Sequence, residues 1–261
     1  MKIIISPAKK MNTDTDFPAA PRIPVFLDKT RVLMQAVREL SQAEAKAVWK
    51  CNDKLAQLNY RRFQSMDLER GLTPAVLSYE GLQYQHMAPA VFSETALQYI
   101  EEHLRILSGF YGVLKPFDGV TPYRLEMQAK LSVNGKKDLY DFWGDSLYRE
   151  LTKDGDRTIV NLASKEYAKA VEKYLSPEDR FITVEFGELT EGKVKQKGTF
   201  AKMARGEMVR FMAENQVEDV EKLRDFQGLG LSYCGKLSDD SRYVFVKQGR
   251  ENRISFHRVT G

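Results

Sequence analysis

The chain is poor in the residues that build metal sites and covalent frameworks. Its two cysteines, Cys51 and Cys234, lie far apart and in no C-x-x-C spacing, so a disulfide is not expected and the usage fits a reducing cytoplasm. Its three histidines, His86, His103 and His257, stand at neither H-x-H nor H-x-x-x-H spacing, and none adjoins a cysteine. Local metal motifs are therefore missing, and neither a metal nor another cofactor is expected. His103, beside Glu101 and Glu102, reads as a surface residue. No apolar run approaches the roughly 18–20 residues that cross a bilayer. The start, MKIIISPAKK, offers three isoleucines before Pro7, too few for a signal peptide, and reads as a buried strand. These absences point to a cytoplasmic protein without a membrane partner. No G-x-S-x-G elbow or P-loop occurs. FQGLGL at Phe226–Leu231 lacks the third glycine of a dinucleotide fingerprint, Tyr233 standing in its place, and reads as a loop into a strand. There is no internal repeat, low-complexity segment or Pro/Gly/Ser linker.

What remains is ordinary in bulk and uneven in charge. With 261 residues, 43% hydrophobic and 29% charged, the chain can bury a normal core as one large domain or two small ones. The net charge is only +4, yet KVKQKGTFAKMARGEMVR at Lys193–Arg210 sets six cations against the single Glu207, a local +5. Concentrated positive charge indicates an anionic partner. The second half of the stretch reads as a helix, Ala201–Glu214. At 100° per residue, Ala201, Ala204, Met208, Phe211 and Met212 share one side and Lys202, Arg205 and Arg210 the other. Gly206 lies among the cations. A glycine inside a helix costs about 1 kcal/mol relative to alanine, and close approach of another group to the backbone is one reason to keep it. The alternative is a solvated basic face with an incidental glycine.

Along the chain, residues 2–6 read as a strand and 11–27 as a long loop. Arg31–Leu40 is amphipathic through Leu33, Val37 and Leu40. Ser41 and Glu44 form an S-x-x-E capping box for a helix reaching Lys50. After a break at Asn52-Asp53, a third helix runs from Lys54 to Phe63. Ser93 caps a helix with Leu97, Ile100, Leu104 and Leu107 at helical spacing, ended by Gly109. Strands are expected at 158–162, 180–189 and 243–246, with helices at 164–174 and 218–224. Without a regular βαβ rhythm, the expectation is a single α+β domain over residues 1–261, compact and two-lobed in outline.

Residues 41–63 have the outline of a helix-hairpin-helix, which offers backbone N–H groups to a nucleic-acid phosphate. Asn52 is the residue suited to the positive φ of its turn. Lys46, Lys50, Lys54, Arg61 and Arg62 surround it, a pattern suited to sequence-independent phosphate binding. An ordinary αα-hairpin with a lysine-rich outer face fits the same residues. A second cluster, SGFYGVLKPFDGVTPYRLEMQAKL at 108–131 with KDLYDFWGD at 137–145, interleaves Tyr111, Lys115, Asp118, Tyr123, Arg124, Glu126, Tyr140, Asp141 and Trp143 with apolar positions. Arg124 and Glu126, two apart, share a face on an extended chain. They can bind a nucleobase or phosphate, or form a structural ion pair.

Five blocks together, ISPAKKM at 5–11, LSGFYGVLKPFDGVTPYRLEM at 107–127, DLYDFWGD at 138–145, VNLASKEYAKAV at 160–171 and FAKMARGEMVRFMAEN at 200–215, resemble the YaaA family of bacterial peroxide-stress proteins, over nearly the full length. The resemblance implies a two-lobed mixed α/β body with a basic cleft and a helix-hairpin-helix. It also implies binding of duplex or branched DNA and a role in lowering free iron and so limiting Fenton damage. Carried over by motif, the cleft would use Lys9, Lys115, Arg124, Lys202, Arg205 and Arg210, and the hairpin would be residues 41–63. Lys10-Met11 stands where the family usually has Thr-Leu, Gln128 replaces a usual glycine, and GRENRISFHRVTG forms an additional basic tail.

Three functions compete. The first is a DNA-binding stress protein without catalysis. The second is an enzyme acting on a nucleotide, nucleobase or nucleic acid through Tyr111, Arg124, Glu126 and Asp141, with Asp118 and Tyr123 as further candidates and a nucleotide-like small molecule as a partner. Direct iron sequestration ranks last, since the carboxylates are scattered. A buried Glu126 beside Arg205 would favour the enzyme; an exposed Glu126 paired only to a surface lysine would favour the binder.

Overall fold

The structure, a computed structural model, describes residues 1–13, 22–190 and 193–247. The tail GRENRISFHRVTG with His257 and the middle of the 11–27 loop lie outside the described residues. The chain divides into two units, one of Met1–Gly81 with Ile100–Asp179, the other of Leu82–Tyr99 with the chain from Arg180 on. Residues 1–81 contain β1 (Lys2–Ile5), β2 (Lys10–Met11), α1 (Leu27–Arg38), α2 (Gln42–Trp49), α3 (Asp53–Ser65), β3 (Thr73–Pro74), α4 (Ala75–Ser78) and β4 (Tyr79–Glu80). Then come α5 (Leu82–Met87), α6 (Glu94–His103), β5 (Leu104–Ser108), β6 (Gly112–Leu114), β7 (Gly119–Val120), α7 (Leu139–Trp143), α8 (Ser146–Thr152), β8 (Thr158–Asn161) and α9 (Lys165–Glu172). The remainder holds β9 (Arg180–Thr190), β10 (Lys193–Lys195), α10 (Gly198–Glu214), β11 (Leu231–Tyr233) and β12 (Arg242–Lys247).

In the first unit β1 pairs in parallel with β5 (Ile3↔Leu104, Ile5↔Ile106) and with β8 (Ile4↔Asn161), and β6 adds antiparallel to β5. Parallel strands covered on both faces are continuously apolar, and every residue of KIII in β1 and LRILS in β5 is buried. The architecture is therefore mixed α/β with mostly parallel pairing, where the irregular element order predicts α+β. The LRILS run also corrects the expected helix from Ser93 to Gly109. That helix stops at His103, and residues 104–108 are strand. A short buried apolar run has no period by which strand and helix can be told apart. His103 is correspondingly buried, its Nδ1 2.9 Å from the Met1 carbonyl.

The α2–α3 hairpin is present, with the capping box expected at its start: Ser41 N–H donates to Glu44 Oε2 at 2.8 Å, and Glu44 N–H to Ser41 Oγ at 3.3 Å. Its left-handed residue is Lys50 (φ 44), not Asn52. Asn52 is extended and caps α3, its Oδ1 accepting from Leu55 N–H at 2.9 Å. Asparagine is among the best N-caps, so the cap takes Asn52 and the positive φ falls to the end of the preceding helix. Trp49 and Phe63 stack inside the hairpin at 5.7 Å, and Phe63 meets Phe110 edge-on at 5.3 Å.

In the second unit β9 pairs in parallel with β12 (Tyr243↔Val184), with β11 antiparallel on β12 and β10 antiparallel on β9. Phe186, Phe226 and Phe245 form its aromatic core. FQGLGL is a short turn leading into β11, as expected. Helix α10 buries Ala201, Ala204, Met208 and Met212. It also buries Gly206, where a Cβ would lie 2.9 Å from Met87 N and closer still to the Gln83 carbonyl oxygen. The group that approaches this glycine is the backbone of α5. Gly206→Ala is expected to force the two helices apart and destabilise the protein by about 1–3 kcal/mol. A denaturant unfolding curve matching wild type would show that α5 yields without cost.

Candidate functional site

Strands β8, β1 and β5 run in one direction, so their carboxyl ends share an edge, the place where open α/β sheets hold ligands. Beyond β1 lies Ser6, whose Oγ accepts from Ser164 N–H at 2.8 Å. Ser164 is the residue that begins α9 after β8. Beyond β5, the segment 121–129 passes over Gly109 and turns at residues 127–128. A Cβ at 109 would sit 2.5 Å from the Leu125 carbonyl oxygen and 2.9 Å from Met127 N, so only glycine admits this strap. Tyr123, Leu125 and Met127 point inward, leaving Arg124 and Glu126 on the other face, as their spacing predicts.

Glu126 Oε1 receives Lys9 Nζ at 2.9 Å and an Arg124 guanidinium nitrogen at 3.0 Å. The Arg124 and Glu126 side chains are only 11% and 13% exposed, whereas Lys9 is 66% exposed and reaches in from solvent. The same Arg124 nitrogen donates to the Trp49 carbonyl at 3.5 Å, which brings the end of α2 against the site. Arg124 Nε is buried without a partner. Glu166, in the first turn of α9, accepts Gln128 N–H at 3.2 Å. Burial pushes its carboxyl above the usual range; the Gln128 N–H opposes this, the Glu126 charge adds to it, and Lys9 opposes it. Tyr123 OH lies between Ser108 Oγ (2.6 Å) and Tyr79 OH (2.7 Å), and burial pushes it up to about 12. Tyr140 donates to the Glu166 carbonyl at 2.9 Å, with Lys169 Nζ 4.8 Å from its ring centroid.

Two cations, two carboxylates and a chain of buried hydroxyls thus meet at the strand ends. The arrangement can bind an anion through Arg124 and Lys9, and can give or take a proton at Glu166. Glu126 is half-buried, and its partners are Arg124 and Lys9, while the acid facing Arg205 is Glu185. Sequence reasoning passed over Ser6, Ser108, Ser164 and Glu166. Ser6 directly follows β1, Ser108 ends β5 and Ser164 caps α9 just past β8, so the signal for these three was a short polar residue at or near the end of a buried strand; Glu166 had no such signal.

The other candidates are held elsewhere. Tyr111 is fully buried, its hydroxyl accepting Thr121 N–H at 3.1 Å and raised by burial. Asp118 closes a turn by accepting Lys115 N–H at 2.8 Å, with half-buried Lys115 just past β6. Asp141 accepts Lys137 N–H at 3.2 Å. On α10 the expected continuous basic face is broken. Lys202 is exposed, Arg205 is half-buried with its Nε enclosed and unpartnered, and Arg210 pairs with Glu214 at 2.8 Å. On the hairpin, Lys46 pairs with Asp53 at 2.5 Å, and Arg62 is half-buried and lowered by burial. Lys50, Lys54 and Arg61 are exposed and make no ion pair among the described residues. Among the described residues no three His, Cys, Asp or Glu side chains stand together as a metal set, and no helix is long and apolar enough to cross a membrane.

The family model for the peroxide stress protein YaaA matches residues 1–237. The chain belongs to the YaaA peroxide-stress family. It is 54% identical to a UPF0246 protein of Agathobacter rectalis, covering 95% of this chain and 99% of that one. It is 55% identical to UPF0246 proteins of Desulfitobacterium hafniense and Pediococcus pentosaceus, covering 95% of this chain and 98% of each. The blocks that resemble the YaaA family converge on the strand ends: ISPAKKM supplies Ser6 and Lys9, LSGFYG supplies Ser108 and Gly109, RLEM supplies Arg124 and Glu126, and ASKEYAK supplies Ser164 and Glu166. Of the two internal departures, Gln128 has no positive φ, so its side chain is unstrained. Lys10-Met11 forms β2 against β4, with Lys10 paired to Glu80 at 2.6 Å.

Asp118 sets a pH dependence. Burial raises its carboxyl to about 7; the Lys115 N–H, Lys115 and Arg105 oppose the rise and Glu101 adds to it. The folded protein keeps this proton after the unfolded chain, titrating near 4, has released it. Stability from this group is therefore full below about pH 4 and is lost as pH climbs through about 7. Asp118→Asn retains an acceptor for Lys115 N–H and cannot ionise. Its Tm relative to wild type is expected to rise between about pH 5 and about pH 8; an unchanged difference would contradict the assigned protonation.

Proposed function

We propose that this YaaA-family protein binds nucleic acid in the peroxide-stress response, holding the phosphate backbone through the α2–α3 hairpin without reading base edges. The observation that supports this most is Lys50, Lys54 and Arg61, exposed on one hairpin and without acidic partners among the described residues. Duplex DNA carries about one negative charge per 1.7 Å of axis, and binding it releases condensed counterions. Cations already neutralised by nearby acids, as Arg210 and Lys197 are by Glu214 and Glu188, contribute less to that exchange. The family's peroxide role then reads as protection of bound nucleic acid where free iron and peroxide meet.

A second reading rests on Glu166. A half-buried carboxyl with raised proton affinity, near Glu126 and Lys9 at the carboxyl ends of parallel strands, suits acid–base chemistry on a nucleotide, nucleobase or nucleic acid. Release of a base or nucleotide from an oligonucleotide by wild type, but not by Glu166→Gln, would support it. No product from either would remove it.

For the main reading, the triple variant Lys50→Glu/Lys54→Glu/Arg61→Glu should stay folded and lose duplex binding. In wild type, log Kd against log salt should be steep, each neutralised phosphate contributing about 0.9 to the slope. Unchanged affinity and slope in the triple variant, measured by fluorescence anisotropy, would exclude the hairpin.

A further inference from the structure

Strand β1 lies between β5 and β8 and is parallel to both. The chain leaves β1 for β5 on one side and later returns to β8 on the other. Open α/β sheets hold ligands beyond the carboxyl ends of strands where the order switches in this way. The ends of β1 and β8 are tied together there: Ser6 Oγ accepts Ser164 N–H at 2.8 Å and donates to Ser164 Oγ at 3.2 Å.

The charged groups at this edge are of both signs. Arg124 and Lys9 meet at Glu126 Oε1, and the Glu126 and Lys9 charges act on the Glu166 carboxyl. Arg124 Nε is enclosed without an acceptor. A buried donor left unmade is costly, and an oxygen of a bound anion would satisfy it. Lys9, 66% exposed, can turn from Glu126 to such an anion at little cost. A ligand that is only anionic would also face Glu126 and Glu166, and one that only donates would face Arg124 and Lys9. The set is complementary to a molecule with one anionic end and hydroxyl donors near it. Further phosphates, whether of a triphosphate or of a polynucleotide, would meet the two carboxylates. Half-exposed Tyr140, whose hydroxyl donates to the Glu166 carbonyl at 2.9 Å, adds an aromatic surface on which a base can stack.

We propose that these residues form a binding site for a free nucleoside 5′-monophosphate, its phosphate on Arg124 and Lys9 and its ribose hydroxyls on Glu126 and Glu166. An acidic residue takes the ribose hydroxyls in dinucleotide sites in the same way. The choice of ligand rests on the Glu166 reading above and narrows it to one small molecule; Lys50, Lys54 and Arg61 have no part in it.

Isothermal titration calorimetry of the full chain with AMP, GMP, CMP and UMP tests the site. At least one should bind with a Kd below about 100 μM, and inorganic phosphate, the matching nucleoside and the matching triphosphate should each bind at least about tenfold more weakly. Lys9→Ala, at an exposed position, should stay folded and weaken the best ligand about tenfold, the worth of a charge-assisted hydrogen bond. Should it fail to fold, Lys9→Gln serves the same comparison. Lys50→Glu/Lys54→Glu/Arg61→Glu should bind that nucleotide as wild type does. No binding of any of the four at about 1 mM, equal binding of phosphate alone, or affinity untouched at Lys9 overturns the site. Tighter binding of the triphosphate or of L-glutamate overturns the choice of ligand. Binding of a nucleotide that is recovered intact would support the site while removing the acid–base reading.

Discussion

The close passage of the 125–127 backbone over Gly109 is the contact on which the strand-end site depends. With the Leu125 carbonyl 2.5 Å from where a Cβ would be, the strap has one height above β5. That height turns Tyr123 down to Ser108 and Arg124 and Glu126 up to Lys9. Trp143 Nε1 donates to the carbonyl of the same glycine at 3.0 Å, which fixes the peptide from its other side. A side chain at 109 would lift the strap, break the Tyr123–Ser108 hydrogen bond and separate Arg124 from the Trp49 carbonyl. The sequence suggests a helix-ending glycine here; the structure shows a glycine that admits another backbone.

Electrostatics divides the cations into those used inside the protein and those left in solvent. Arg124 is spent on Glu126 and on the end of α2, Arg105 on the carbonyls of Leu104 and Glu101, and Arg38 on the carbonyls that end α3. Buried guanidinium groups need such acceptors, because an unpaired buried charge is costly. Lys50, Lys54 and Arg61 make no such contact among the described residues, and that contrast, more than total charge, directs the functional reading to the hairpin.

Local chemistry was legible where it depends on neighbours in sequence. The Ser41–Glu44 box, the apolar face of α10 and the shared face of Arg124 and Glu126 all follow from spacing. What depended on tertiary partners was not. LRILS has no period, so its strand was hidden in an apparent helix. Gly206 among cations suggested a ligand, whereas α5 is the neighbour. Arg205 projected onto a basic face, yet lies half-buried with its Nε enclosed, because helical projection cannot say which side a packed helix hides. Glu166 carried no motif of its own; only the parallel order of β8, β1 and β5 brings it to Glu126.

The central claim is that nucleic acid meets the hairpin. Hydrogen exchange of the full chain, with and without duplex DNA at low salt, tests it most directly. The account predicts slowed exchange at the amides of residues 46–62. Slowing confined to residues 195–210, with the hairpin amides unchanged, would contradict it.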